Sequence, residues 1–233
     1  MSTATYDERR GRLETYFDAT AVEAWAQLTS DAPVSRIRRT VRAGRDRMRA
    51  ELLSWLPADM TYATLLDAGC GTGALSVAAA ERGARVTAVD IAGKLINLAR
   101  ERAPADISPG AIDFRVGDML DPALGRFDHV AAMDSLIHYP SREIVRVLAG
   151  LAGRTGRSIV FTFAPRTPAL SLMHAAGRLF PRADRAPAIE PVMEMRLRRA
   201  IEAAPGLSAW RVGRTVRIVS GFYTSQAMEL VRR

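Results

Sequence analysis

Short apolar runs alternate with amphipathic segments through the middle of the chain, and that alternation predicts its organisation. Thr64 leads into an apolar strand, Leu65-Leu66, that ends in Asp67, and a helical segment follows from Ala74 to Arg82. Arg85 to Val89 reads as a second strand ending in Asp90, and Lys94 to Arg102 as a helix closed by Pro104. Ile112 to Val116 alternates as a third strand, with Gly117-Asp118-Met119 behind it; Phe127 to Met133 is a nearly continuous fourth, ending in Asp134. Pro140 opens a helix running to about Leu151, and Ser158 to Phe163 is a fifth strand. Strands alternating with helices imply an α/β fold with a doubly wound, mostly parallel sheet. Right-handed crossovers align the carboxyl ends of the strands along one edge, where such sheets bind ligands. Asp67, Asp90, Asp118 and Asp134 all fall at that edge.

The flanks follow other patterns. Residues 1–60 read as a helical N-terminal arm, with Leu13, Tyr16 and Phe17 in one apolar cluster and Trp25 and Leu28 continuing it. From Ser35 to Trp55, the residues Ile37, Val41, Met48, Leu52 and Leu56 fall on one stripe at helical spacing, and Arg36, Arg38, Arg39, Arg42, Arg45, Arg47 and Arg49 crowd the remaining surface. Residues 61–233 form the main domain. Within it, 164–191 is a long insertion rich in proline and arginine, with apolar residues around Leu170, Met173 and Phe180. Long connections are uncommon in compact domains unless they act as lids or binding elements, so this one is expected to cap a substrate. Val192 to Ala203 reads as a helix broken by Pro205-Gly206, and Trp210 to Val219 and Phe222 to Val231 as two strands joined at Ser220-Gly221.

Composition narrows the class. With 233 residues, 48% of them hydrophobic and 25% charged, the chain suits one globular domain plus an added arm. It shows no run apolar enough to span a bilayer and no signal-peptide core, so a cytoplasmic location is expected. The single Cys70 excludes an internal disulfide framework; it lies inside a glycine turn with no base beside it, which favours small size over catalysis as its qualification. The net charge of +8 comes almost wholly from arginine. Such an excess favours anionic partners: nucleic acid, acidic small ligands, or an anionic membrane on which the protein would sit peripherally.

The densest chemical signal is Leu65-Leu66-Asp67-Ala68-Gly69-Cys70-Gly71-Thr72-Gly73. Strand, glycine turn, helix, second strand and terminal acid make a nucleotide-binding βαβ unit, in which glycines let the backbone turn and approach a ligand and the second acid can bind ribose hydroxyls. Asp67 precedes the turn, where its charge would repel a pyrophosphate but suit a sulfonium ligand bearing an ammonium group. The stretch therefore resembles motif I of class I S-adenosylmethionine-dependent methyltransferases. That resemblance implies a sheet of seven strands, Rossmann-like, in the order 3-2-1-4-5-7-6 and closed by the terminal hairpin.

The flanking motifs are more specific. Tyr16-Phe17-Asp18, Val41-Arg42-Ala43-Gly44, Asp134-Ser135-Leu136-Ile137-His138-Tyr139-Pro140, Phe163-Ala164-Pro165-Arg166-Thr167, Gly177-Arg178-Leu179-Phe180-Pro181 and the terminal Phe222-Tyr223 together resemble the magnesium-protoporphyrin IX O-methyltransferase family over nearly the whole chain. The resemblance implies methyl transfer from S-adenosylmethionine to a propionate of magnesium-protoporphyrin IX in chlorophyll or bacteriochlorophyll synthesis, with magnesium present only as part of the substrate. It also implies cofactor contacts from Asp67, Gly69, Gly71, Asp90 (ribose), Ile91 (adenine face), Asp118 and Met119 (adenine edge) and Asp134. Tyr16 and His138 become the candidate catalytic residues, and magnesium chelatase a candidate partner. Two other readings stay open on the residues alone: a methyltransferase for another small anionic or phenolic substrate, and an RNA methyltransferase. The second is disfavoured because the fourth strand lacks an Asn-Pro-Pro-aromatic end and the basic arm lacks a stacking platform, so no nucleic-acid partner is expected.

Overall fold

A computed structural model of the chain describes residues 6–19, 35–166 and 189–233. Its centre is a seven-stranded sheet of order β3-β2-β1-β4-β5-β7-β6. The strands are β1 (Thr64–Ala68), β2 (Arg85–Asp90), β3 (Ala111–Val116), β4 (Phe127–Ala132), β5 (Thr155–Phe163), β6 (Trp210–Ser220) and β7 (Tyr223–Arg232). The first five are parallel, and β7 pairs antiparallel with both β5 and β6. Helices cover both faces: α1 (Tyr6–Ala19), α2 (Arg36–Ser54), α3 (Ala74–Ala80), α4 (Gly93–Arg102), α5 (Ser141–Ala152) and α6 (Glu194–Glu202). The central strands read as unbroken apolar runs because they are buried on both faces: Leu65, Leu66, Val130, Ala131, Ile159, Val160 and Phe161 have no exposed surface.

The two faces make separate apolar clusters. One joins α1, α5 and α6 to the sheet through Leu148, Leu151, Phe161, Leu197 and Ile201; the other joins α2 and α3 to it through Met48, Leu52, Leu75 and Ala227. Each fully buried aliphatic side chain of this size contributes about 1.5–3 kcal/mol, so α2 is bound firmly to the sheet by Met48, Leu52 and Leu53. The stripe read from the sequence begins later than expected, however. Val41 is partly buried, but Ile37 is 53% exposed. The first turn of α2 meets the end of the β6–β7 hairpin, Thr40 packing against Gly221, and so overhangs the sheet.

Two further boundaries move. The helix read from Val192 starts at Glu194, because Val192 forms a strand-like bridge with Pro165, its N–H donating to the Ala164 carbonyl at 2.8 Å. That bridge brings the described ends of the 164–191 insertion together. Most of the expected cap, residues 167–188, lies outside the described residues, as do Trp25 and Leu28. Among the described residues no helix is long and apolar enough to cross a membrane.

Candidate active site

The turn after β1 is built by glycine geometry. Gly69, Gly71 and Gly73 have φ of 82°, 56° and 79°, a left-handed conformation that side chains resist. A Cβ on Gly69 would collide with the Ser135 side chain, so the turn can lie this close to the end of β4 only without one. Asp90 holds the turn in place: its Oδ2 accepts from the Gly71 N–H at 2.9 Å and its Oδ1 from the Ala92 N–H at 2.9 Å.

Asp67 is 1% exposed and accepts a hydrogen bond from Ser76 Oγ at 2.6 Å. Burial, with the Asp90 charge in support, pushes its pKa up to about 7 despite the Ser76 bond. Burial also raises that of Asp90, against its bonds from Ala92 and Gly71. A buried and a half-buried carboxylate, both of elevated pKa, stand beside a glycine turn and are poised for a cationic, hydroxyl-bearing ligand.

A cavity of about 330 Å³ runs from this turn along the strand ends. Asp67, Gly69, Gly71, Asp90, Ile91, Met119, Asp134 and His138 all line it, so most of the residues singled out in the sequence converge on one space. Asp134 enters with φ 54°, which places its carboxylate against Arg45 of α2 at 2.7 Å and within 3.1 Å of the Tyr223 hydroxyl. The Ser225 hydroxyl lies 3.3 Å away, and Asp134 N–H donates to Thr162 Oγ1 at 2.7 Å. His138 ends a 3₁₀ turn, Leu136–His138; the residue is 8% exposed and its ring lies edge-on to Phe17 at 6.1 Å. His129 is a structural contrast: it lies inside β4, its Nδ1 2.7 Å from Ser158 Oγ, and burial favours its neutral form.

Two expected residues are placed elsewhere. The Asp118 carboxylate turns to α1, accepting from the Tyr6 hydroxyl at 2.7 Å and Arg10 at 3.1 Å, and it does not line the cavity. Tyr16 is half-buried, edge-on to Phe17 at 5.3 Å, and it is Phe17 that reaches the cavity wall. The family resemblance singled out Tyr16; the face of α1 turned to the cavity is Tyr6, Arg10, Leu13 and Phe17, a spacing of four, three and four residues that the sequence does carry. Arg42, Arg45 and Arg49 of α2 line the opposite wall with Asp46. Gly44, which lies between them, would bring a Cβ within 2.5 Å of the Tyr223 ring, so it admits the tyrosine that reaches Asp134.

The donor set fits S-adenosylmethionine. The cradle excludes side chains, its two carboxylates call for a cation and for hydroxyls, and Ser135 Oγ, against Gly69 on the cavity wall, is buried without a hydrogen-bond partner among the described residues. Sheet order, glycine turn and paired acids define a class I S-adenosylmethionine-dependent methyltransferase. The family model described as methyltransferase domain matches residues 65–155, and that described as magnesium-protoporphyrin IX methyltransferase C-terminus matches residues 132–232. The magnesium-protoporphyrin O-methyltransferase of Rhodobacter capsulatus is 49% identical over 96% of this chain and 97% of its own length. The enzyme of the same name from Synechocystis is 30% identical over the whole of both chains. A crystal structure of magnesium protoporphyrin IX methyltransferase from Synechocystis with bound SAH superposes with a TM-score of 0.83 at 28% identity, covering 96% of this chain and 99% of that one. The chain belongs to the magnesium-protoporphyrin O-methyltransferase family.

Proposed function

We infer that the protein transfers a methyl group from S-adenosylmethionine to a propionate carboxylate of magnesium-protoporphyrin IX, giving the monomethyl ester of (bacterio)chlorophyll synthesis. One observation carries the reading: a single cavity joins a buried, acid-lined glycine turn to a wall of Phe17, His138 and the arginines of α2. The first end suits a cationic nucleoside; the second suits a flat apolar ring system bearing carboxylates.

S-adenosylmethionine, when bound, supplies an electrophilic methyl group on a sulfonium. Asp90 takes the ribose hydroxyls, Ile91 and Met119 the adenine, and Asp67 with the Gly69 and Gly71 backbone the methionine end. A propionate has an acidity near that of glutamate, pKa about 4.3, so it is anionic at neutral pH and needs no strong base. The protein's task is to strip water from that carboxylate and hold it in line with the methyl group, and alignment alone can contribute several kcal/mol. Arg42, Arg45 and Arg49 make this wall cationic, Arg45 pairing with Asp134 at 2.7 Å and Arg49 with Asp46 at 2.9 Å, and such a wall suits the propionates. Tyr16 stands against Phe17 and Phe17 against His138, so the three rings form a continuous aromatic series from α1 into the cavity. His138 orients the reacting carboxylate from that side, and Tyr16 acts behind it by backing Phe17. Radiolabelled methyl transfer to magnesium-protoporphyrin IX, with the metal-free porphyrin as comparison, tests the function; absence of ester with both would refute it.

Asp90→Ala removes a carboxylate that would hold both the ribose and the turn. Loss of a charge-assisted hydrogen bond costs about 1.5–3 kcal/mol, so S-adenosylmethionine affinity should fall by about ten-fold or more. Calorimetric titration checks this, and unchanged affinity would remove Asp90 from the site.

The protein also associates peripherally with anionic membrane, at the overhanging first turn of α2. Ile37, Val219 and Phe222 are 53%, 55% and 59% exposed around the hairpin end, beside the exposed Arg36, Arg38, Arg39 and Arg47. The first turn of α2 has no acidic residue, so Arg36, Arg38 and Arg39 stand at the positive end of the helix dipole, an arrangement an anionic surface would relieve. Each arginine near such a surface is worth about 1 kcal/mol. Flotation with anionic vesicles should therefore be strong at low salt and fall as salt rises; equal flotation with neutral vesicles, or none with either, counts against it. A hydrophobic macrocycle received at a membrane also suits direct transfer from magnesium chelatase.

A further inference from the structure

Ser135 stands between the glycine turn and His138, and it carries a hydroxyl that its surroundings do not use. Its side chain lies so close over Gly69 that a Cβ there would collide with it. Close approach explains a small residue, but alanine would satisfy it equally well. Ser135 also holds the N-cap position of the turn Leu136–His138, where a serine ordinarily accepts from a backbone N–H two or three residues on; here it makes no such bond. Among the described residues its Oγ has no hydrogen-bond partner, although it is buried. An unpartnered buried hydroxyl costs the folded chain stability, and one kept on the wall of a ligand cavity points to a bound reactant as its partner.

The turn decides which reactant. Ser135 has helical backbone angles, φ −90° and ψ −36°, and His138 follows three residues on. At 3₁₀ spacing, side chains three apart eclipse, so Ser135 and His138 project from one side of the turn, and both line the cavity. Asp134, immediately before them, does not repel an anion arriving there, because Arg45 pairs with it at 2.7 Å. One hydrogen bond from His138 would leave a carboxylate free to rotate about the bond to its chain. A second donor on the same side fixes its plane.

We propose that the Ser135 hydroxyl donates to the reacting propionate and forms, with His138, a two-point seat that sets the plane of the carboxylate for methyl transfer. Oγ turns from Gly69 to the cavity by one rotation about χ1, between staggered positions. The inference rests on the reading of this cavity as the place of propionate methylation. The ester product carries no charge and is a weaker acceptor, so the same seat lets it go.

The test titrates magnesium-protoporphyrin IX and, separately, its dimethyl ester into the wild type and Ser135→Ala with S-adenosylhomocysteine present, followed by porphyrin fluorescence. Ser135→Ala should bind the diacid about ten-fold more weakly, the equivalent of one lost hydrogen bond to a charged group. It should bind the dimethyl ester as the wild type does. S-adenosylhomocysteine affinity should be unchanged, and the melting temperature without ligands no lower than wild type, since the removed hydroxyl had no partner. Equal weakening of diacid and diester would make Ser135 a matter of shape. A fall in S-adenosylhomocysteine affinity would give the hydroxyl to the methionine end of the cofactor, and a lowered melting temperature with unchanged porphyrin binding would make it structural. Each of these three results overturns the seat while the wild-type enzyme still makes ester. A wild-type protein that makes no ester and does not distinguish diacid from diester would refute the propionate reading itself, and the seat with it.

Discussion

Asp67→Asn is expected to make the cofactor-free protein more stable at pH 8 while abolishing most of its affinity for S-adenosylmethionine. Burial raises the Asp67 pKa from 3.8 to about 7. Between those values the folded chain holds a proton that the unfolded chain has released, so stability falls as pH rises from about 4 to about 7 and stays lower above that. The rise from 3.8 to about 7 corresponds to an upper bound of about 4 kcal/mol at pH 8. Asparagine keeps an acceptor for Ser76 Oγ, whose bond to Asp67 spans 2.6 Å, and carries no charge to desolvate. In a domain of this size each kcal/mol moves the melting temperature by about 2–4 °C, so a rise of several degrees is expected. Binding changes in the opposite sense. The ligand's ammonium group needs an ionised partner, so wild-type affinity should climb with pH, by up to about ten-fold per unit, until Asp67 is ionised near pH 7. Asp67→Asn should bind about ten- to a hundred-fold more weakly above that pH and lose the dependence. Scanning calorimetry at pH 8 and titrations from pH 5.5 to 8 check both halves. A destabilised variant, or one with the wild-type pH profile, would show that the charge is not held at a cost for the ligand.

The sheet was legible because its central strands β1, β4 and β5 are buried on both faces and stand out as apolar runs, and because the first four strands each lead to an acid at the ligand edge. The order of the last three strands was legible only through family resemblance, since two long segments at the end of a chain can pair in several ways. The glycine turn was legible because backbone geometry at Gly69 leaves no alternative residue type. What the sequence hid was distant pairing. Arg45 and Tyr223 meet Asp134 across 89 residues in each direction, and nothing local marks either as its partner. Asp118 looked like the other strand-end acids; only the packing of α1 decides that its oxygens face Tyr6 and Arg10. The apolar cluster Leu13, Tyr16 and Phe17 was visible, but a cluster of adjacent residues does not say which side of a helix faces inward. The spacing Tyr6, Arg10, Leu13, Phe17 does, once Arg10 is allowed to count as part of a buried face. Ile37 continued a helical stripe by spacing yet lies in the open, because the stripe runs past the end of the hairpin it packs on.

His138→Ala should lower turnover about a hundred-fold and leave S-adenosylmethionine affinity within two-fold of wild type. The residue sits on the cavity wall, on the short turn after β4, well separated in the chain from the glycine turn and Asp90 that are assigned to the nucleoside. Its position is set from several sides: the Leu136 carbonyl accepts from the Tyr139 N–H at 3.1 Å, Arg9 donates to the His138 carbonyl at 3.0 Å, and Phe17 lies edge-on to the ring at 6.1 Å. A nucleophile that is already an anion gains nothing from proton removal, so the ring's contribution is a directed hydrogen bond that fixes the carboxylate along the line of attack. An orienting bond of about 2–3 kcal/mol, realised in the transition state, corresponds to roughly a hundred-fold in rate. Tyr16→Ala, which removes the ring behind Phe17, should act in the same direction, whereas Tyr16→Phe, which keeps that ring, should not. His138→Gln, which keeps a hydrogen-bond donor, should recover part of the lost rate, a recovery that mere refilling of space by Leu should not give. Initial rates with saturating cofactor and magnesium-protoporphyrin IX decide the matter. Wild-type turnover in His138→Ala and Tyr16→Ala would return both residues to packing roles, and a large loss of cofactor affinity in His138→Ala would move the histidine to the nucleoside end of the cavity.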